Sequence, residues 1–128
     1  MFEAGSFTVN GVELGLAPES AVVLGAGRLN AELRAILLPA ETAAWALSPP
    51  LLYFRALRLP EVIPLRLRVD DDLLDEYDIG IYLGEHHDVE GELLVTGGQL
   101  RFEGVCSIDL SARWRLEVSA PLDTGQVA

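Results

Sequence analysis

The densest group of possible metal ligands in this sequence is the run Glu85-His86-His87-Asp88. Imidazole nitrogens and carboxylate oxygens together are ligands of zinc and similar ions. In a β-strand, however, adjacent side chains point to opposite faces, so His86 and His87 would not readily share one ion there. The run follows Gly84 and separates two strand patterns, which favours a polar turn. We therefore predict no metal here, and a metal site is the alternative that the run leaves open.

A second group of carboxylates lies between Asp70 and Asp78, and clustered carboxylate oxygens are the ligands that calcium prefers. An EF-hand loop needs glycine at its sixth position and glutamate at its twelfth. Counted from Asp70, those positions hold Asp75 and Ile81, and the count from Asp72 fails in the same way. We interpret the segment as a solvated acidic turn that includes one turn of helix, and we predict no cofactor.

The single cysteine, Cys106, is the clearest candidate for a nucleophile, with one of the two histidines as its base. In the predicted strand it lies on the same, apolar face as Gly104 and Ile108. We therefore expect a buried, poorly reactive thiol with a raised pKa. No Gly-x-Ser-x-Gly, P-loop or His-Glu-x-x-His motif is present, and Gly25-Ala26-Gly27 is only half of a dinucleotide fingerprint. The sequence therefore predicts a protein that is not an enzyme.

Half of the chain's twenty acidic residues lie in one short stretch, and no arginine separates Arg68 from Arg101. Such a density of one sign gives part of the surface a strong negative field. We predict that these residues form a binding face for a basic protein, and we call them the acidic belt. The ten residues of the acidic belt are Asp70, Asp71, Asp72, Asp75, Glu76, Asp78, Glu85, Asp88, Glu90 and Glu92.

The formal net charge of the 128-residue chain is −11, with nine basic residues against twenty acidic ones. Nucleic acids and anionic membranes both attract cationic surfaces, so we expect neither as a partner. No apolar run approaches the roughly 18 residues of a membrane helix, and we see no secretory signal pattern. One cysteine cannot form an internal disulfide, which fits the reducing cytoplasm.

Apolar and polar residues alternate along most of the chain, which is typical of β-strands. Asn10-Gly11 predicts a tight type I′ hairpin. Residues 28–38 fit a strand or a helix, and we favour the strand because the turn before them suits a hairpin. Residues 41–47 predict a short helix, which Pro49-Pro50 would end. The other strand patterns lie at 7–9, 12–16, 21–24, 51–59, 65–69, 77–83, 89–96, 100–110 and 114–118.

These patterns predict an all-β fold, an antiparallel β-sandwich or partly open barrel of about nine or ten short strands with one short helix near 41–47. Gly97-Gly98 would turn the chain between two of the strands, and Gly104 would mark a bend or a close approach of two backbones. The length matches a single domain, 1–128, and we expect residues 121–128 to form a frayed tail.

The sequence thus predicts a non-enzymatic, cytoplasmic, bacterial protein that acts as an inhibitor or immunity-type partner of a basic protein, because complementary charge speeds encounter. One alternative is a barrel or sandwich that binds a small molecule in an interior cavity. A second alternative is an accessory subunit of a larger assembly, with the outward apolar residues Leu94 and Val105 at its interface. The residues that would line the interior cavity are Tyr53, Phe54, Tyr77 and Trp114.

Overall fold

The fold is that of a computed structural model, which describes residues 5–25, 27–37, 49–59, 65–83, 85–96, 98–107 and 113–121. Within these ranges the chain forms eleven strands and one short helix. In chain order the elements are β1 (Ser6–Val9), β2 (Val12–Glu13), β3 (Ala21–Gly25), β4 (Arg28–Arg34), β5 (Leu51–Arg58), β6 (Leu65–Val69), α1 (Asp71–Glu76), β7 (Asp78–Tyr82), β8 (His86–His87), β9 (Val89–Val95), β10 (Gln99–Ser107) and β11 (Arg113–Pro121).

The strands form two antiparallel sheets. One has six strands in the order β2-β1-β11-β10-β9-β6, and the other has five in the order β3-β4-β5-β7-β8. The predicted all-β antiparallel architecture is confirmed. The sequence pattern predicted nine or ten strands, and the additional strand is β8, which the pattern had assigned to a polar turn.

The two sheets pack face to face over one hydrophobic core, built from the inward-facing residues of both sheets. Phe54 of β5 and Phe102 of β10 meet edge to face near its centre, with ring centroids 5.7 Å apart. Such contacts between large buried aromatic rings stabilise a core beyond the effect of the area they remove from water. Trp114 and Cys106 are buried in the same core, as the alternating pattern predicts.

The predicted hairpin at Asn10-Gly11 is confirmed, because both residues have positive φ angles of 51° and 83°. Both central residues of a type I′ turn need this conformation, and Asn and Gly adopt it most easily. The carboxylate of Glu13 then accepts hydrogen bonds from the backbone N–H groups of Phe7 and Gly15, at 3.2 and 3.0 Å. These bonds fix the start of the six-stranded sheet.

The ambiguous segment after Gly27 forms the strand β4, with alternating exposed and buried residues. Its alternation lets Leu29, Ala31 and Leu33 enter the core between β3 and β5. The helix predicted at 41–47 lies outside the described residues. So does the predicted tail from 122 onward, whereas Pro121 is the last residue of β11.

One edge of the sandwich carries most of the acidic belt. The chain leaves β6, the edge strand of the six-stranded sheet, and crosses through α1 to β7 of the other sheet. It then forms β8, the edge strand of the five-stranded sheet, and returns to the six-stranded sheet as β9. Among the described residues there is no helix with the length and apolar character needed to cross a membrane.

Candidate functional site

The ten residues of the acidic belt do not share one face of the molecule. Five lie at or on α1 and two flank β8, all at the sandwich edge just described. Asp78 lies on the outer face of the five-stranded sheet, whereas Glu90 and Glu92 lie on the outer face of the six-stranded sheet. The belt therefore wraps one edge and reaches the outer faces of both sheets.

The α1 segment concentrates negative charge because its sequence begins with three aspartates. Asp70 caps the helix by accepting a hydrogen bond from Leu73 N at 3.4 Å. Asp71 and Asp72 occupy the first turn, where the partial positive charge of the helix terminus stabilises carboxylates. No carboxylate between Asp70 and Glu76 forms an ion pair with any residue that the structure describes. Their charge is therefore directed at solvent.

By contrast, the belt residues on the two outer faces already have arginine partners. Glu90 lies 3.5 Å from Arg68, and Glu92 lies 3.4 Å from Arg66. On the opposite face Asp78 lies 3.0 Å from the guanidinium of Arg55. These pairs are exposed and contribute little to stability, but they reduce the net field of both faces. The uncompensated charge is concentrated at the edge.

A surface cleft of about 410 Å³ lies at this edge, between α1, β8, β9 and the facing ends of β10 and β11. It brings together three belt carboxylates, Asp71 from α1 and the neighbouring Asp88 and Glu90 at the start of β9. Its walls also include aliphatic side chains and one arginine side chain. The other residues that line it are Leu74, His86, His87, Val89, Val105, Ser107 and Arg113.

A second cleft, of about 250 Å³, lies on the outer face of the six-stranded sheet. Its two carboxylates are already paired, Glu92 with Arg66 and Glu103 with Arg101 at 2.6 Å. The outward apolar residues that the sequence assigned to a possible interface divide between the two clefts, since Leu94 lines this one and Val105 lines the first. In the edge cleft Glu90 is likewise paired with Arg68, but Asp71 and Asp88 form no ion pair with an arginine that the structure describes. The edge cleft is therefore the stronger candidate for binding a cation.

The predicted polar turn at residues 85–88 is wrong for its two central residues, because His86 and His87 form β8. They pair with Tyr82 and Ile81 of β7, respectively. The expectation that two adjacent strand histidines point to opposite faces is confirmed, since His86 is exposed whereas His87 is buried. The sequence missed this strand because two residues are too few to show an alternating pattern.

On the outer face of the five-stranded sheet, His86 links two distant residues. Its Nε2 lies 3.0 Å from Asp88 Oδ1, and its Nδ1 is hydrogen-bonded to the hydroxyl of Tyr53. A carboxylate only accepts, so Nε2 donates to Asp88 and the Tyr53 hydroxyl donates to Nδ1. Gly80 makes this possible, because a Cβ there would collide with the His86 ring.

The hydrogen bonds that join Tyr53, His86 and Asp88 resemble a proton relay, but we interpret their role as structural. Burial, followed by the negative charge of Asp78, raises the pKa of the Tyr53 phenol. The Arg55 guanidinium stacks 4.3 Å from the ring centroid and opposes this shift without reversing it. A phenol kept neutral in this way is a poor nucleophile and a poor base. The hydrogen bond between Tyr53 and His86 instead holds β8 against β5.

His87 is the one buried polar side chain that the structure leaves incompletely satisfied among its described residues. Its Nδ1 lies 3.2 Å from the carbonyl oxygen of Ser107, which can only accept, so Nδ1 carries the proton. Its Nε2 has no hydrogen-bond partner there. A carboxylate oxygen, Glu85 Oε2, lies 4.0 Å from His87 Nε2.

The remaining candidates for chemistry are consistent with a structural role. Burial raises the pKa of the Cys106 thiol to about 11, which leaves it protonated and unreactive near neutral pH. Gly27 has a positive φ of 76°, and it lies between β3 and β4, which pair as antiparallel neighbours. Among the described residues, no three His, Cys, Asp or Glu side chains are grouped so that they could hold a metal ion.

Two of the four residues proposed to line an interior cavity have other surroundings in the structure. Phe54 is packed against Phe102 in the core, and Tyr53 faces outward under Arg55. Neither of the two clefts includes the four residues proposed to line such a cavity. The fold and site define an all-β protein with two antiparallel sheets and an acidic edge cleft. No protein-family model and no curated protein matches the chain.

Proposed function

We propose that this protein is a non-enzymatic binding protein that presents the edge cleft and α1 to a basic protein partner. The observation that carries the proposal is the convergence of Asp71, Asp88 and Glu90 on one cleft of about 410 Å³. The cleft is lined in part by α1, whose carboxylates form no ion pair with any residue that the structure describes. A cationic side chain of the partner would enter this cleft.

The chemistry of the cleft suits a lysine or arginine side chain. Such a side chain needs apolar contact for its stem and carboxylates for its head group. Leu74 and Val105 provide aliphatic wall, and the three carboxylates provide acceptors. Arg113 also lines the cleft, and its charge favours a head group that binds on the α1 side, away from it.

The net charge of −11 supports the same proposal at longer range. A surface of one sign steers an oppositely charged partner toward the site and raises the association rate, an effect that salt weakens. We infer that the protein acts in the bacterial cytoplasm as an inhibitor or immunity-type partner. The single buried cysteine, which forms no disulfide, is compatible with that compartment.

A capture experiment with matched charge variants tests the proposal. The cleft variant combines Asp71→Asn, Asp88→Asn and Glu90→Gln. The control variant combines Glu19→Gln, Glu32→Gln and Glu117→Gln, which are exposed and lie outside the cleft. Both variants change the net charge equally, so the comparison separates the position of the charge from its amount.

We expect the wild-type protein and the control variant to capture the same basic protein from the source cytoplasm at low salt. The cleft variant should lose that capture, and added salt should weaken it for the wild-type protein and the control variant. Equal capture by the two variants would remove the cleft from the contact. If the captured protein is not basic, the proposed class of partner is wrong.

A further inference from the structure

The buried imidazole of His87 carries an inference that does not rest on the three cleft carboxylates. The side chain is only 7 % exposed, and its Nδ1–H donates to the carbonyl of Ser107. The lone pair on Nε2 is therefore buried without a partner among the described residues. Buried polar atoms in native proteins almost always have a partner, and where a protein atom does not provide one, an ion or an ordered water does.

The position of the proton on His87 is the one that a metal ligand needs. Histidines that bind metals through Nε2 donate their Nδ1–H to a carbonyl or carboxylate, which fixes the tautomer and the orientation of the ring. Ser107 gives His87 this second contact. The hydrogen bond from Nδ1 thus leaves Nε2 as the ring nitrogen that is available to an ion, and it fixes the direction in which Nε2 points.

The second ligand is Glu85, which lies two residues before His87 and so on the same side of the chain where β8 begins. Its Oε2 is 4.0 Å from His87 Nε2. Zinc–nitrogen bonds are about 2.0–2.1 Å long and zinc–oxygen bonds about 2.0–2.2 Å, so one ion can reach both atoms. The Glu85 side chain is 79 % exposed, which leaves it free to adjust its angle at the ion.

We propose that Glu85 and His87 bind one divalent transition-metal ion at the edge of the five-stranded sheet, with water completing its coordination. The imidazole ligand favours zinc and related ions over calcium and magnesium, which prefer oxygen. The surrounding acidic belt favours a cation. His86 is not a ligand, because its two ring nitrogens are engaged by Tyr53 and Asp88 on the opposite face.

Calorimetric titration of the chelator-treated full chain with Zn²⁺ at neutral pH tests this proposal. The wild-type protein should bind one ion and show a higher unfolding temperature in its presence, and Ca²⁺ or Mg²⁺ should reproduce neither effect. Glu85→Gln should weaken zinc binding at least about tenfold, and His87→Gln should abolish it. His86→Gln is the matched control and should bind zinc as the wild-type protein does.

The exposed Glu85→Gln variant keeps the test decisive if His87→Gln does not fold, which far-ultraviolet circular dichroism would reveal. Absence of zinc binding by the wild-type protein overturns the proposal. It is equally overturned if Glu85→Gln binds zinc unchanged, or if only His86→Gln loses binding. These outcomes do not depend on the capture of a basic partner, because neither ion-binding variant alters a cleft carboxylate.

Discussion

Gly104 shows most directly how single residues hold the six-stranded sheet together. It lies opposite Gly91 in the β9–β10 pair, and a Cβ built on it would collide with the backbone oxygen of Glu90. The close approach of two backbones that the sequence predicts at mid-strand is therefore what the structure contains. Only two facing glycines allow this spacing, because any side chain would meet backbone atoms that cannot move aside.

Replacing Gly104 with alanine should destabilise the protein by about 3 kcal/mol, the upper range for overpacking a well-packed core. Gly25→Ala is the control, because a Cβ there meets no atom within 4 Å. Urea denaturation measures both changes. A Gly104→Ala variant as stable as Gly25→Ala would contradict the close approach of β9 and β10.

Cys106 gives a second test at the same scale. Its thiol is fully buried, and burial raises its pKa to about 11. At pH 8 we expect a thiol reagent such as Ellman's reagent to label the native protein far more slowly than the urea-unfolded protein, in which an ordinary cysteine is partly ionised. Equally fast labelling of both forms would show that Cys106 is accessible.

At the residue scale, the sequence predicts the burial of a side chain where that burial follows from the alternation of apolar and polar residues within one strand. The burial of Cys106 and the parity of β9 and β10 follow from a pattern within one strand. The contact between Tyr53 and His86 could not be predicted, because it joins residues 33 positions apart. That contact depends on the register of β5, β7 and β8, which no local pattern contains.

At the scale of elements, the short helix α1 depends on its first residues. Its six residues are too few for a stable isolated helix, and none of them is buried. Leu73 and Leu74 pack partly against the core, and the Asp70 side chain caps the first turn. The cap and these contacts hold the acidic turn against the sandwich edge.

The cap makes a prediction for α1. Asp70→Ala should cost about 1 kcal/mol of stability, and Asp70→Asn should retain most of it, because asparagine also accepts the N-cap hydrogen bond. Asp75→Ala is the control, since this exposed residue lies in the last turn, where removal of a negative charge is neutral or favourable. Thermal unfolding compares the three variants. Equal effects of Asp70→Ala and Asp75→Ala would contradict capping.

The strand β4 and the strand β8 show where element prediction succeeds and fails. β4 contains good helix formers, yet its alternation fits a position between β3 and β5, and this tertiary pairing overrides helix propensity. β8 has two residues and sits at a sheet edge, so its pairing comes from β7 rather than from its own sequence. The residue pattern within an element thus predicts its secondary structure best where the element is long.

At the scale of the whole molecule, strand order decides which charges act together. The sequence predicts one acidic face from residues 70–92, but the chain crosses between sheets twice within that stretch. Arginines on both outer faces pair with Asp78, Glu90 and Glu92. The fold therefore places the uncompensated charge at one edge, around α1 and the cleft.

The rate of association with the captured basic partner, measured at low and high salt, tests the central claim most directly. At low salt the cleft variant should associate at least about tenfold more slowly than the control variant of equal charge, and high salt should reduce the difference between them. Equal rates for the two variants at low salt would mean that only net charge matters. The edge cleft would then not be the site where the partner binds.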